Sequence, residues 1–336
     1  MSGIHAVEPG PAPMILAVFL ALLLAAAPML FGATPRPALL LLCALASLLA
    51  LAALAAGARP AFGGWLLMAG LMTIGLLQLL PLPADLLSYL SPEAARLRAL
   101  ATDAASGAPL SLDPHATWTS LLLLGGALCV FAVARFSLGH PAGRPLLMSA
   151  VIGTGLVEAF YGIRQLLVGP QEIFGWPKLW YVDSASGTFV NRNHFAGYLE
   201  MALMLCLGLL VAVLGARAEG GGTGSPRVRF ILSLSTPRGA GALLLMTSAC
   251  VMAAALLMSH SRAGVASASI GGLILVWLSR RRTGGRAVVA VLALVGAVGL
   301  AALIIAGDSV PGRRVAAIAS DLMGDDGRAP LWADAA

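Results

Sequence analysis

An all-α bundle of transmembrane helices is the fold this sequence predicts, and three observations carry the prediction. The chain is 59% hydrophobic and only 11% charged, against roughly 25% charged in an average soluble domain. Its apolar residues gather into nine long stretches, each able to cross a hydrocarbon layer of about 30 Å as a helix of about 20 residues. None shows the short alternating pattern of barrel strands, so helices are what would satisfy this backbone in lipid.

In chain order the expected spans are 12–31, 38–56, 62–80, 117–137, 145–168, 194–215, 240–259, 263–279 and 287–306. The charges between them set the orientation. Counted with a cytoplasmic N-terminus, the inner loops receive Arg59, Arg135, Arg144, then Arg217, Arg227, Arg229 and Arg238, then Arg280, Arg281, Arg282 and Arg286. The outer loops receive the acids, from Asp85, Glu93, Asp103 and Asp113 through Glu172 and Asp183 to Asp308 and Asp325. Basic loops stay inside, so the N-terminus is expected in the cytoplasm. In the first hairpin Arg36 and Arg59 balance, so the later loops decide the matter. No basic residue precedes the first span, which argues against a secretory signal peptide.

The net charge of +6 does not point to nucleic acid, because the arginines sit beside spans, where the positive-inside rule accounts for them. Cys43, Cys129, Cys206 and Cys250 all fall within expected spans, without the spacing of a zinc site or a disulfide framework. Neither a metal nor a cofactor is suggested. The outer loop 81–116 contains "LSPEAARLRALA", where Ser91 suits a cap, Pro92 the first helical position and Glu93 the first turn. A short interfacial helix is expected there. The inner loop 216–239 is Gly-rich and lacks the GK[ST] of a phosphate loop, so it reads as a flexible connector. With no repeats and no second soluble domain, residues 1–336 read as one membrane domain.

The polar residues that resist this description lie on the outer side. "NRNH", residues 191–194, stands at the outer, N-terminal end of the sixth span. Unpaired N–H groups and the helix dipole favour an anion there, with Arg192 beside it. Ser261 and Arg262 repeat the arrangement at the start of the eighth span, after a tight turn. Within the fifth span, Glu158, Tyr161 and Gln165 share one face at spacings of three and seven, and Arg164 lies near them. Glu158 and Arg164 are six apart and cannot pair along their own helix, so each needs a partner on another helix, in water or on a ligand. Plainer readings remain open: Asn191 and Asn193 as caps, Arg262 as a topology anchor, His194 and His260 as interfacial residues, and Glu158 with Arg164 as inter-helix structural groups.

The stretch "SGTFVNRNHFAGYLEMALML" with the later "SRAG" resembles the O-antigen ligase and polymerase-like family of bacterial membrane glycosyltransferases. "PLSLDPHATW", "EAFYGIRQLL" and "GRAPLWADAA" support the resemblance, which covers most of the chain, with a core from roughly 145 to 336. It implies a multi-pass protein of the bacterial inner membrane. Such a protein transfers a glycan from an undecaprenyl-pyrophosphate carrier, on the periplasmic face, to an acceptor: lipid A-core, a growing polysaccharide or a protein side chain. It also implies that Arg192 and Arg262 are the catalytic pyrophosphate clamps. Arg164, Asn191, Asn193, His194, Ser261, Glu158 and Gln165 would contribute to binding pyrophosphate and glycan, without a metal. The family's base is a His in a large periplasmic loop after the "R..LW.DA" element. This sequence stops at Ala336, just after that element, so a truncated form is expected, with His194 or His260 the remaining candidates for the base. Two other classes fit the residues: a polysaccharide or lipid transporter, and a membrane subunit that binds the lipid carrier without chemistry.

Overall fold

The computed structural model describes residues 10–59, 62–101, 107–215 and 236–283, and beyond these 288, 289, 291–293, 295–297, 299, 300 and 304. Among the described residues, seven helices are long and apolar enough to cross a membrane: α1 (Ala12–Met29), α2 (Arg36–Ala55), α6 (Pro114–Ser137), α7 (Gly143–Leu167), α8 (Arg192–Gly215), α9 (Pro237–Met258) and α10 (Arg262–Thr283). A shorter apolar helix, α3 (Phe62–Leu77), lies at the third expected span. The ninth expected span is described only in part, and its described positions are helical. Most of 216–239 and all of 307–336 lie outside the described residues.

Several helices start the same way, with Pro in the first turn, where its missing N–H costs no hydrogen bond. Asp113 caps α6 by accepting from Ala116 N–H at 2.9 Å, just ahead of Pro114. Thr236 caps α9 by accepting from Gly239 N–H at 3.1 Å, just ahead of Pro237.

The chain forms two compact units, Met1–Ala150 and Val151–Ala336, with the boundary inside α7. The first is organised by α2 and α6. Cys43 lies against Leu122 and Gly126, and Ser47 lies against Cys129, their polar atoms 3.8 Å apart. Both contacts advance along the two helices in the same sense, so α2 and α6 run parallel. The intervening chain must therefore come back, and α3 brings it, ending with Gly75 tight against Leu121. Its 16 residues rise about 24 Å. Leu16 and Leu20 of α1 and Leu42 and Ala46 of α2 fill this core with Val133 and Leu147.

Between α3 and α6, a two-residue pairing of Pro81–Leu82 with Ala108–Pro109 frames two short helices, α4 (Ala84–Leu90) and α5 (Pro92–Ala101). The short helix expected in this loop is α5, with Pro92 at its start and Glu93 in its first turn, where it pairs with Arg96 at 2.5 Å. The helix α4 has no counterpart in the sequence reading.

The second unit packs the latter part of α7 with α8, α9 and α10 around Phe195, Leu199, Ala202, Cys206 and Met252. Gly155 meets Ala202, and Gly162 meets the Phe195 ring, so α7 and α8 run antiparallel. The helices α8 and α10 instead run parallel. Ala196 meets Gly264, Glu200 accepts a hydrogen bond from Ser267, and Met204 meets Gly271. Small residues at this seam let the two backbones approach closely, as packing in lipid requires.

A side chain at Gly155 has no room, since its Cβ would lie 2.6 Å from the Ala202 methyl and 3.1 Å from Met252 Sδ. Gly153 on the same helix has nothing within 4 Å. Thermal unfolding in detergent should therefore show Gly155→Leu destabilised by about 1–3 kcal/mol, with Gly153→Leu within about 0.5 kcal/mol of wild type.

Candidate functional site

The segment joining α7 to α8 is folded down onto the helices. It begins with a small hairpin pairing Glu172–Ile173 with Trp176–Pro177. The run from Ser184 to Phe189 then enters the protein and is buried throughout. The face of α7 seen in the sequence holds it there. Tyr161 OH accepts from Phe174 N–H at 2.9 Å, and its ring stacks on Phe174. The Gln165 side-chain amide donates to Glu172 O and to Gly187 O, both at 2.8 Å. Glu158, fully buried nine residues before the end of α7 and so about 14 Å along it, accepts from Thr188 twice. Thr188 N–H donates to Oε2 at 2.9 Å and Thr188 Oγ1 to Oε1 at 2.6 Å.

This fold requires glycine at 187. Its φ of +57° is left-handed, and a Cβ would lie 2.2 Å from Glu158 Oε2 and 2.7 Å from the Phe195 ring. Ala185 N–H donates to Met258 O at 3.0 Å, tying the segment to the end of α9. Three residues, 259–261, then turn the chain into α10.

The N-termini of α8 and α10 thus open on the same face of this unit. At α8, Asn191 Oδ1 accepts from Asn193 N–H at 2.8 Å, which caps the helix. Arg192, the first helical residue, sets its guanidinium carbon 5.1 Å from the centre of the Tyr181 ring, a cation–π distance. Its Nε is buried and makes no hydrogen bond among the described residues. At α10, buried Ser261 accepts from Gly264 N–H at 3.3 Å and takes the capping role, while Arg262 is exposed. Ala196 and Gly264 stand four residues after Arg192 and two after Arg262, so both arginines begin within about 6 Å of helix rise from the seam contact.

Lys178, the only lysine in the sequence, braces the segment from above. Its Nζ donates to Ser184 O at 2.9 Å and to Gln171 Oε1 at 3.3 Å. Burial pushes its amine down to about 8, partly offset by the nearby Asp183.

The residues singled out in the sequence thus divide in two. Arg192, Asn191, Ser261 and Arg262 belong to the paired helix starts, with Asn193 and His194 exposed beside Arg192. Glu158 and Gln165 are occupied in holding the loop. Glu158 finds its partner on Thr188, a loop residue, rather than on a neighbouring helix, and Arg164 is exposed with no hydrogen bond or ion pair among the described residues. Gly187, Thr188, Tyr181, Lys178, Glu200 and Ser267 join the site from the structure alone. Two of these carried a signal: Lys178 as a solitary lysine among arginines, and Glu200 as a second acid within a span. No family model matches the chain, and neither a curated protein nor a solved structure matches it significantly.

Loss of one donor to a buried carboxyl costs about 1–3 kcal/mol. Thr188→Val should lower stability by that amount and speed proteolysis within 172–189, read by limited digestion, whereas Asn193→Ala should leave both near wild type. Amine acylation mapped to Lys178 should rise with a midpoint near pH 8, against about 10.4 for an unperturbed lysine. A midpoint above pH 10 would mean that the amine is not buried.

Proposed function

We propose that this protein is a bacterial inner-membrane glycosyltransferase of the O-antigen ligase and polymerase-like kind. It spans the membrane nine times with its N-terminus in the cytoplasm, and works on the periplasmic face. The observation that carries the reading is the parallel packing of α8 and α10, which brings two arginine-bearing helix starts to one face of the unit. Two N-termini and two guanidiniums form an environment for a polyanion. A lipid-linked pyrophosphate is the polyanion a membrane-embedded site would meet. The unpaired Nε of Arg192 is a donor already removed from water, and a phosphate oxygen would satisfy it.

In the reaction, an acceptor hydroxyl on lipid A-core or on a growing polysaccharide attacks the anomeric carbon of the carrier-linked sugar. The new glycosidic C–O bond forms as the bond to the pyrophosphate oxygen breaks. The hydroxyl proton passes to a base, and undecaprenyl pyrophosphate leaves with the bonding electron pair. Arg192 and Arg262 neutralise the charge that develops on the leaving group, work that guanidinium forks do without a metal. Asn191 and Ser261 fix the helix starts that carry them. Glu158 and Gln165 act at one remove, holding the 184–189 segment against the site. A transporter reading gains less, because the buried acid of α7 is committed to the loop.

Arg192→Ala and Arg262→Ala, tested singly, should each lower glycan transfer roughly 10²-fold, read as surface polysaccharide or as product from purified protein and carrier-linked glycan. Both should also weaken binding of undecaprenyl pyrophosphate. Weakened binding with no transfer by the wild type would favour a carrier-binding subunit, and unchanged binding and transfer in both variants would overturn the proposal.

A further inference from the structure

The first unit contains a cleft of about 840 Å³, open along one side and lined by α1, α2 and α6. That volume is within the range of about 300–1,000 Å³ typical of small-molecule sites. The walls are apolar, with Leu51, Leu54 and Phe136 among them, and Pro13 marks the end at which α1 starts. Two cations stand at that same end: Arg59, just beyond α2, and Arg135, in the last turn of α6. Both are exposed, and neither has a hydrogen-bond or ion-pair partner among the described residues. From Ser47 to the end of α2 at Ala55 the cleft follows the helix for about 12 Å of rise, less than half of a hydrocarbon core about 30 Å thick. Its apolar reach is therefore that of one leaflet.

We infer that this cleft is a binding site for an anionic glycerophospholipid of the leaflet at which α1 starts and α2 and α6 end. The acyl chains lie against Leu51, Leu54 and Phe136, and the phosphate bridges Arg59 and Arg135. Basic pockets between transmembrane helices recognise anionic headgroups in this way, and a guanidinium meets a phosphate through paired N–H donors. Two guanidiniums facing one phosphate leave an excess of positive charge, so a headgroup of net negative charge fits better than a zwitterionic one. The site lies wholly within the first unit and is independent of any glycan transfer.

The test uses the purified full chain in neutral detergent, titrated with dioleoyl-phosphatidylglycerol and with dioleoyl-phosphatidylcholine, which share their acyl chains. Bound lipid is counted by native mass spectrometry. Phosphatidylglycerol should bind roughly tenfold more tightly, and the advantage should shrink as salt rises from 50 to 500 mM, where the Debye length falls from about 14 Å to about 4 Å. Arg59→Gln with Arg135→Gln should abolish the preference while leaving phosphatidylcholine binding unchanged. Ala132→Trp, which fills the cleft from α6, should weaken both lipids. Equal binding of the two lipids by the wild type would overturn the proposal, as would a preference that survives in the double variant. So would displacement of phosphatidylglycerol by equimolar undecaprenyl phosphate, which would assign the cleft to a polyprenyl carrier, or a dimer abolished by Ala132→Trp, which would assign it to a second copy. The wild-type lipid comparison and its salt dependence decide the matter even if the variants do not fold.

Discussion

Backbone that leaves helical geometry inside a membrane-spanning unit must find partners for its N–H and C=O groups within the protein. At Gly187 and Thr188 those partners are two side chains of α7. Gln165 takes the Gly187 carbonyl and Glu158 takes the Thr188 amide. This exchange lets the 184–189 segment lie buried against Phe195 and the end of α9, and so decides what surrounds the starts of α8 and α10. An ionisable group at that depth costs a few kcal/mol on insertion scales, which the two hydrogen bonds from Thr188 offset. The acid is retained as a fastening for a loop, with both its oxygens engaged.

The paired helix starts depend on a second constraint. In lipid there is little hydrophobic drive between helices, so close backbone approach has to supply the attraction. Gly264 and Gly271 of α10 allow it against Ala196 and Met204 of α8. The parallel sense of that seam brings Arg192 and Arg262 to the same face.

Much of this was legible in the sequence, and the reasons for the gaps are specific. Long apolar runs identify helices because hydrocarbon thickness sets their length. The shared face of Glu158, Tyr161 and Gln165 follows from helical periodicity, and all three do bond the same loop. What they hold was not legible, because Thr188 stands thirty residues further on, in a segment with no period of its own. Glycine is equally opaque. Gly155 and Gly153 are two residues apart on one helix, yet only the first is pressed against a neighbour. Among 39 glycines, composition does not say which face meets a helix. Arg192 was found by its place at a helix start, whereas the Tyr181 ring beneath its charge depends on the path of an irregular loop.

The parallel pairing of α2 and α6 also bears on how the chain is made. An antiparallel hairpin such as α1 and α2 can close as soon as its second helix emerges. The seam at Cys43 and Ser47 has to wait until Gly126 and Cys129 have been synthesised, about 80 residues and, at about 5–20 residues per second, some 4–16 seconds later. During that interval the same face of α2 is presented to lipid or to the insertion machinery. A seam that can tolerate the delay is best built of Cys, Ser and Gly, small groups that lose little while they wait and can still draw close when α6 arrives.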